Sequence, residues 1–178
     1  MNKCDQDLLG KVYVVTGGNS GIGFEAARNF AARGARLVLV CRSEQRGHAA
    51  LAKIELETGN DQGLLYVADF SSLESVSAVA DRLLTEFLKI DVLCNNAGSA
   101  NGQRSETSEG FETTLVTNHL SGFLLTKKLM PALERAAASG QARVVFTSSY
   151  GHTNSALNFD DLGLRTGYKT LVAYGRSK

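Results

Sequence analysis

Short, continuously apolar runs alternate along this chain with longer stretches of helical spacing. Lys11 to Thr16 reads as a strand and Gly21 to Arg33 as a helix. Arg36 to Cys41 is a second strand and Ser43 to Glu57 a second helix, and Gly63 to Ala68 is a third strand. Ser72 is a capping residue that opens a third helix running to about Leu88. Asp91 to Cys94 gives a short fourth strand. Ser108 to Ala138 is one long helical stretch, interrupted or ended near Pro131. Ala142 to Ser148 is a fifth strand. Strands that alternate with helices pair in parallel through right-handed crossovers. The unbroken apolar character of Val12 to Val15, Leu37 to Val40 and Val144 to Phe146 suits strands covered on both faces. The pattern therefore predicts a doubly wound α/β domain with strand order 3-2-1-4-5.

Composition narrows this picture. With 178 residues and no linker, positions 1–178 read as a single domain, and 43% apolar residues is ordinary for a globular protein. Lys plus Arg number 19 and Asp plus Glu 18, a net charge of +1 that argues against a nucleic-acid partner or a polybasic membrane surface. Aliphatic runs such as Leu37 to Cys41 are too short for a transmembrane segment. Met1 to Asp7 is polar and does not read as a signal peptide, so the expected location is cytoplasmic. Cys4, Cys41 and Cys94 are odd in number and widely spaced, which predicts neither a disulfide framework nor a metal site. Cys41 and Cys94 read as small core residues. Met130 and the scattered Phe residues also read as core. His48, His119 and His152 lack a paired constellation and read as surface or supporting positions.

Two features carry chemistry. The first strand runs into Thr16 to Gly23, TGGNSGIG, and then into a helix. Gly17, Gly21 and Gly23 permit a tight turn and close approach of backbone to a pyrophosphate, with the helix N-terminus supplying N–H groups. Ala26 keeps the helix close to its strand. At the end of the second strand, where an acidic residue would bond a ribose 2′-OH, the chain has Cys41 and Arg42. Arg42 can pair with a 2′-phosphate, favouring NADP over the alternative, NAD. The second feature is Tyr174 with Lys178, four residues apart and hence one turn apart on a helix beginning near Thr170. There an ammonium favours a phenolate and makes the tyrosine a usable proton donor or acceptor near neutral pH.

Taken in order, these motifs resemble the short-chain dehydrogenase/reductase family, over the whole chain. TGGNSGIG is similar to its glycine signature and Asn95, Asn96, Ala97 and Gly98 to its NNAG signature. The resemblance implies a Rossmann-type sheet and cofactor contacts from Gly17, Asn19, Ser20, Gly21, Ile22, Gly23, Arg42, Asp69, Asn95, Ala97 and Gly98. It implies a catalytic set of Asn118 in VTNHLSGF, Ser149 in FTSSYGH, Tyr174 and Lys178. Tyr174 would exchange a proton with the substrate oxygen, and Ser149 would hydrogen-bond that oxygen. Lys178 would favour the ionised tyrosine and bond the nicotinamide ribose, and Asn118 would hold a water that links Lys178 to solvent. The long interval from Ser149 to Tyr174 contains Asn158 to Leu162, NFDDL. With CRSEQRG it resembles the branch of retinol dehydrogenases, WW-domain oxidoreductases and protochlorophyllide reductases.

The implied reaction is hydride transfer between nicotinamide and a carbonyl or alcohol carbon of a bulky apolar small molecule. The family's fold continues past the lysine. The comparison therefore predicts a C-terminally truncated domain lacking the final strand or strands, with the fifth strand as an apolar edge. Three functions fit these residues: an oxidoreductase represented in part, a non-catalytic NADP(H)-binding module, or an interaction protein that forms a homo-oligomer through the 108–138 helix.

Overall fold

The computed structural model describes residues 6–178, so Cys4 and the start of the polar N-terminus lie outside the described residues. Five parallel strands form one sheet: β1 (Val12–Thr16), β2 (Arg36–Cys41), β3 (Leu64–Val67), β4 (Val92–Asn95) and β5 (Arg143–Phe146). Their order is β3-β2-β1-β4-β5, the expected doubly wound arrangement. Val14 aligns with Val38 of β2 and Leu93 of β4, which places the apolar positions of the central strands in register.

Side-chain alternation assigns the helices to faces. Val14, Val38, Val40 and Leu93 point to the face covered by α3 (Leu73–Glu86) and α5 (Ser121–Ala137), where they meet Val76, Leu83, Leu125 and Leu129. Val15, Leu37, Leu39 and Cys94 point to the other face, against α1 (Gly21–Ala32) and α2 (Glu44–Thr58) through Phe24, Ala27 and Ile54. Ser43 caps α2 and Ser72 caps α3, each side chain accepting a backbone N–H one turn on. Burial pushes the Cys94 thiol up to about 11, so at neutral pH it is a protonated core residue. Iodoacetamide at neutral pH should therefore leave Cys94 unmodified in the folded chain and label it in denaturant. Mass spectrometry of its peptide checks this, and labelling of the folded chain would mean that β4 is not held in the core.

The long helix differs from the expectation. It begins at Thr113 rather than Ser108, as α4 (Thr113–Leu115), a π-helical turn (Val116–Leu120) and then α5. Gly110, at φ +81°, turns the chain, and the buried Glu112 caps the start by accepting from the N–H groups of Thr114 and Leu115. Pro131 does not interrupt α5. It lies on the solvent side, as does Lys127, whose carbonyl loses its helical donor to the proline. The apolar residues read as core also divide. Phe24, Phe70 and Phe87 are buried, whereas Phe111, Phe123, Phe146, Phe159 and Met130 are exposed. β5 forms one edge of the sheet and all four of its residues are exposed. The last helix, α6 (Thr170–Ser177), starts where the sequence indicates.

Candidate active site

A cleft of about 690 Å³ opens at the carboxyl ends of the strands. That is where successive crossovers diverge to opposite faces of the sheet, between β1 and β4. Thr16, at the end of β1, ties the two halves together. Its hydroxyl donates to the carbonyl of Cys94 at 3.3 Å and accepts from the N–H groups of Asn96 and Ala97, each at 2.9 Å. Asn96 returns the contact, donating to the carbonyl of Thr16 at 3.1 Å.

The glycine loop follows β1. Gly17 has φ +65°, and a Cβ there would stand 2.9 Å from Cα of Ala97. A Cβ on Gly23 would stand 2.3 Å from Nδ2 of Asn96, so this glycine lets α1 approach the strand. Gly21, at φ +55°, faces open space. Ser20 precedes α1 but makes no side-chain cap, and the first turn carries no acidic residue. Unlike α2 and α3, α1 thus starts with its N–H groups uncapped, on a loop whose Gly17, Asn19, Ser20 and Ile22 line the cleft. Bare N–H groups at a positive dipole end, beside backbone free of Cβ atoms, suit a pyrophosphate.

Further along the cleft, Arg42 and Arg46 flank Ser43 at the start of α2. Neither guanidinium is ion-paired or hydrogen-bonded to another described residue. Asp69 also lines the cleft, and one of its carboxylate oxygens accepts from the N–H and hydroxyl of Ser71. Ser72, not Asp69, caps α3.

At the opposite end lie Tyr174 and Lys178. The Lys178 ammonium stands 5.8 Å from the Tyr174 ring centroid, over its face. Its hydrogen bond goes to the carbonyl of Thr147 at 3.0 Å, so the lysine is anchored to the end of β5. Burial lowers the Lys178 pKa from its ordinary value. Ser149 begins a 3₁₀ turn (Tyr150–Asn154), where its hydroxyl oxygen accepts from the N–H of Gly151 at 3.2 Å. A hydroxyl that accepts in this way keeps its own proton to donate. Gly151 sits between Ser149 and Tyr174, with its Cβ position 3.5 Å from Oγ of one and 3.6 Å from Cδ1 of the other. Gly175 abuts the same turn, where a Cβ would stand 2.5 Å from the carbonyl oxygen of Gly151.

Two residues expected at the site direct their side chains to protein partners. Asn95, read as a cofactor contact, is 7% exposed and does not line the cleft. As the last residue of β4 it points toward α5, donating to the hydroxyl of Thr126. Its neighbour Asn96 faces the cleft instead. Asn118, read as a water holder, has both side-chain N–H donors engaged by protein. They reach the carbonyl of Ser99 at 2.9 Å and the hydroxyl of Ser177 at 2.8 Å. Its carboxamide oxygen accepts from the N–H of Ser99 at 2.7 Å. Its side chain is a clamp, and Gly98 leaves room for it. A Cβ on Gly98 would stand 3.1 Å from both Oδ1 of Asn118 and Nζ of Lys178. Ala97 and Gly98 line the cleft.

Ser99, Thr147, Ser177 and Arg46 escaped the sequence reading. The first two act through main-chain groups, which leave no trace in residue type. Arg46 could have been found from its place one turn past Arg42. The three histidines are exposed. Among the described residues no group of His, Cys, Asp and Glu is placed to hold a metal ion, and no helix is long and apolar enough to cross a membrane.

The sequence profile of the family described as short chain dehydrogenase matches residues 11–159. Retinol dehydrogenase 12 of Mus musculus is 44% identical over 171 residues, which are 96% of this chain and 53% of that protein. The chain thus spans about half the length of the curated relatives it matches. A crystal structure of a Mycobacterium paratuberculosis protein superposes with a TM-score of 0.82 at 35% identity, covering 96% of this chain and 58% of that one. The Pseudomonas aeruginosa RhlG/NADP active-site complex superposes with a TM-score of 0.76 at 27% identity, covering 99% and 64%.

Proposed function

The chain belongs to the short-chain dehydrogenase family, and from that premise we propose that it serves an NADP(H)-dependent oxidoreductase acting on the carbonyl or alcohol of an apolar small molecule. The observation that carries this reading is one cleft lined by both the glycine loop and the Tyr174 and Lys178 pair. When bound, the nicotinamide cofactor donates or accepts the hydride. The chain's own residues bind, orient and move a proton. The uncapped start of α1 would hold the pyrophosphate. The Tyr174 hydroxyl gives its proton to, or takes one from, the substrate oxygen. The Ser149 hydroxyl, oriented by the Gly151 N–H, donates to the same oxygen as charge develops there. The Lys178 ammonium, fixed by the Thr147 carbonyl, faces the tyrosine ring and favours its negative form.

Support for NADP over NAD comes from Arg42 and Arg46, two cations without partners among the described residues, where a 2′-phosphate would lie. The RhlG structure, which is described as an NADP complex, superposes over 99% of this chain. Arg42→Asp should weaken NADPH binding by about tenfold to a hundredfold, the usual worth of a charged hydrogen bond. It should leave NADH binding unchanged or improved. Calorimetric titration with both nucleotides checks this, and an unaltered preference would leave Arg42 a surface residue. Support for an apolar substrate comes from exposed Tyr150, Phe159 and Leu171, on the segments around Tyr174, and from the similarity to a retinol dehydrogenase.

A non-catalytic NADP(H)-binding module is a second reading, in which the same cleft holds the nucleotide without turnover. NADPH consumption against apolar aldehydes and ketones separates the two readings: consumption supports the oxidoreductase, and tight binding without consumption supports the module. Self-association through α5 is proposed from Phe123 and Met130, exposed and two turns apart on its outer side. A reducing, cytoplasmic location is proposed from the free thiols of Cys41 and Cys94.

A further inference from the structure

Helix α6 has eight residues, too few to be stable alone. Its position is set by what grips it. Arg176 donates to the carbonyl of Ala156 at 2.9 Å and Gly175 abuts the 3₁₀ turn, but both contacts lie on the side of the 150–169 segment. On the side of the π-helical turn the grip is Ser177, which is 2% exposed. Its hydroxyl donates to the carbonyl of Tyr174 at 2.7 Å and accepts from Nδ2 of Asn118 at 2.8 Å. Bonding to a carbonyl three residues back is ordinary for a helical serine. A buried amide donating to that same hydroxyl is not part of that habit, and it joins α6 to a second element.

Asn118 is itself fixed by Ser99, next to Gly98 at the cleft wall. The chain of bonds thus runs from the NNAG loop through Asn118 and Ser177 to the main chain of Tyr174. Ser177 immediately precedes Lys178. We infer that Ser177 is a positioning residue, whose hydroxyl locks the Tyr174–Lys178 pair in register with the Asn118 clamp. This rests on the oxidoreductase reading for its catalytic consequence, not for its geometry. Replacing the hydroxyl by a methyl group leaves a buried amide donor without its acceptor and lets α6 shift along the turn. Displacement of a reacting group by about an ångström can lower turnover up to about a hundredfold.

The test compares the parent chain with Ser177→Ala, Asn118→Ala, the double variant and Ser177→Thr, which keeps the hydroxyl. Hydrogen exchange of the Asn118 side-chain amide and of α6, followed by NMR, reads the lock without turnover. In Ser177→Ala both should lose protection while α1 keeps it. NADPH consumption should fall in kcat by about tenfold to a hundredfold with KM for NADPH within about twofold. The double variant should be no worse than the poorer single one, and Ser177→Thr should recover part of the loss. Unchanged exchange in Ser177→Ala, or single losses that simply add, would overturn the proposal. If Ser177→Ala does not fold, Ser177→Cys, a weaker donor and acceptor, takes its place in each comparison. A parent chain that consumes no NADPH contradicts the oxidoreductase reading alone, because the exchange measurement still decides whether Ser177 locks α6.

Discussion

Tyr174→Phe should lower NADPH-dependent turnover by about a hundredfold to ten-thousandfold, the range that a positioned general acid contributes. Nucleotide affinity should stay within about twofold, because one hydroxyl is removed and no binding contact is lost. The selectivity follows from the geometry. Tyr174 lines the far end of the cleft from Arg42, Asp69 and the glycine loop, and its ring is held by neighbours that do not need the hydroxyl. Lys178 faces the ring rather than bonding to the oxygen, and Gly151 lies against Cδ1. Phenylalanine preserves those contacts and removes the transferable proton. Kinetics in kcat and KM, beside calorimetric affinity, read the two effects separately. Retained turnover would mean that another group, such as Ser149, moves the proton.

Gly23→Ala should weaken NADPH binding by about tenfold to a hundredfold and lower the thermal midpoint, since overpacking of a fitted contact costs about 1–3 kcal/mol. The Cβ would stand 2.3 Å from Nδ2 of Asn96 and 2.6 Å from the carbonyl oxygen of Gly17. The second neighbour is backbone, so relief requires α1 to move away from the loop whose N–H groups are proposed to cradle the phosphates. Asn96 cannot swing aside freely either, because it bonds the Thr16 carbonyl and accepts from the Thr147 hydroxyl. Gly21→Ala makes the informative contrast. It meets no atom within 4 Å and adds only the strain of its positive φ. It should therefore disturb the sheet less. Fluorescence titration with NADPH and thermal unfolding distinguish the two, and equal effects would show that steric approach at Gly23 is not what matters.

The sheet and its first three helices were legible because two kinds of signal agreed. The central strands are apolar without interruption, and Ser43 and Ser72 stand where capping residues must. Agreement failed in the segment before Asn118. Ser108 looked like a helix start, yet Gly110 turns the chain and Glu112 does the capping. The glycine was visible in the sequence and outweighs the serine. The π-helical turn at Val116–Leu120 was not visible, since one residue of slack barely alters an apolar period over so short a span.

Pro131 misled for a different reason. Its cost depends on whether the freed carbonyl meets water, which is a tertiary fact. The exposure of Phe123 and Met130 is tertiary too, although their spacing on one side of a helix could have suggested a shared stripe.

The site divides along the same line. Residues that act through conformational need or a charged end, such as Gly17, Gly23, Arg42 and Lys178, carry their meaning in residue type. Asn95 and Asn96 could not be told apart by type. Strand direction turns one toward α5 and leaves the other at the cleft. The Asn118 clamp needed the Ser99 main chain and Ser177 to arrive from distant positions, and no local spacing encodes that meeting.

The central claim is that one cleft both binds NADP(H) and delivers a proton from Tyr174. NADPH oxidation by the chain, supplied with apolar aldehydes and followed by the nicotinamide absorbance, tests it most directly when run beside Tyr174→Phe at matched nucleotide saturation. The account predicts oxidation by the parent and a loss of about a hundredfold or more in the variant. Equal oxidation by both proteins, or none by a parent saturated with NADPH, would contradict it.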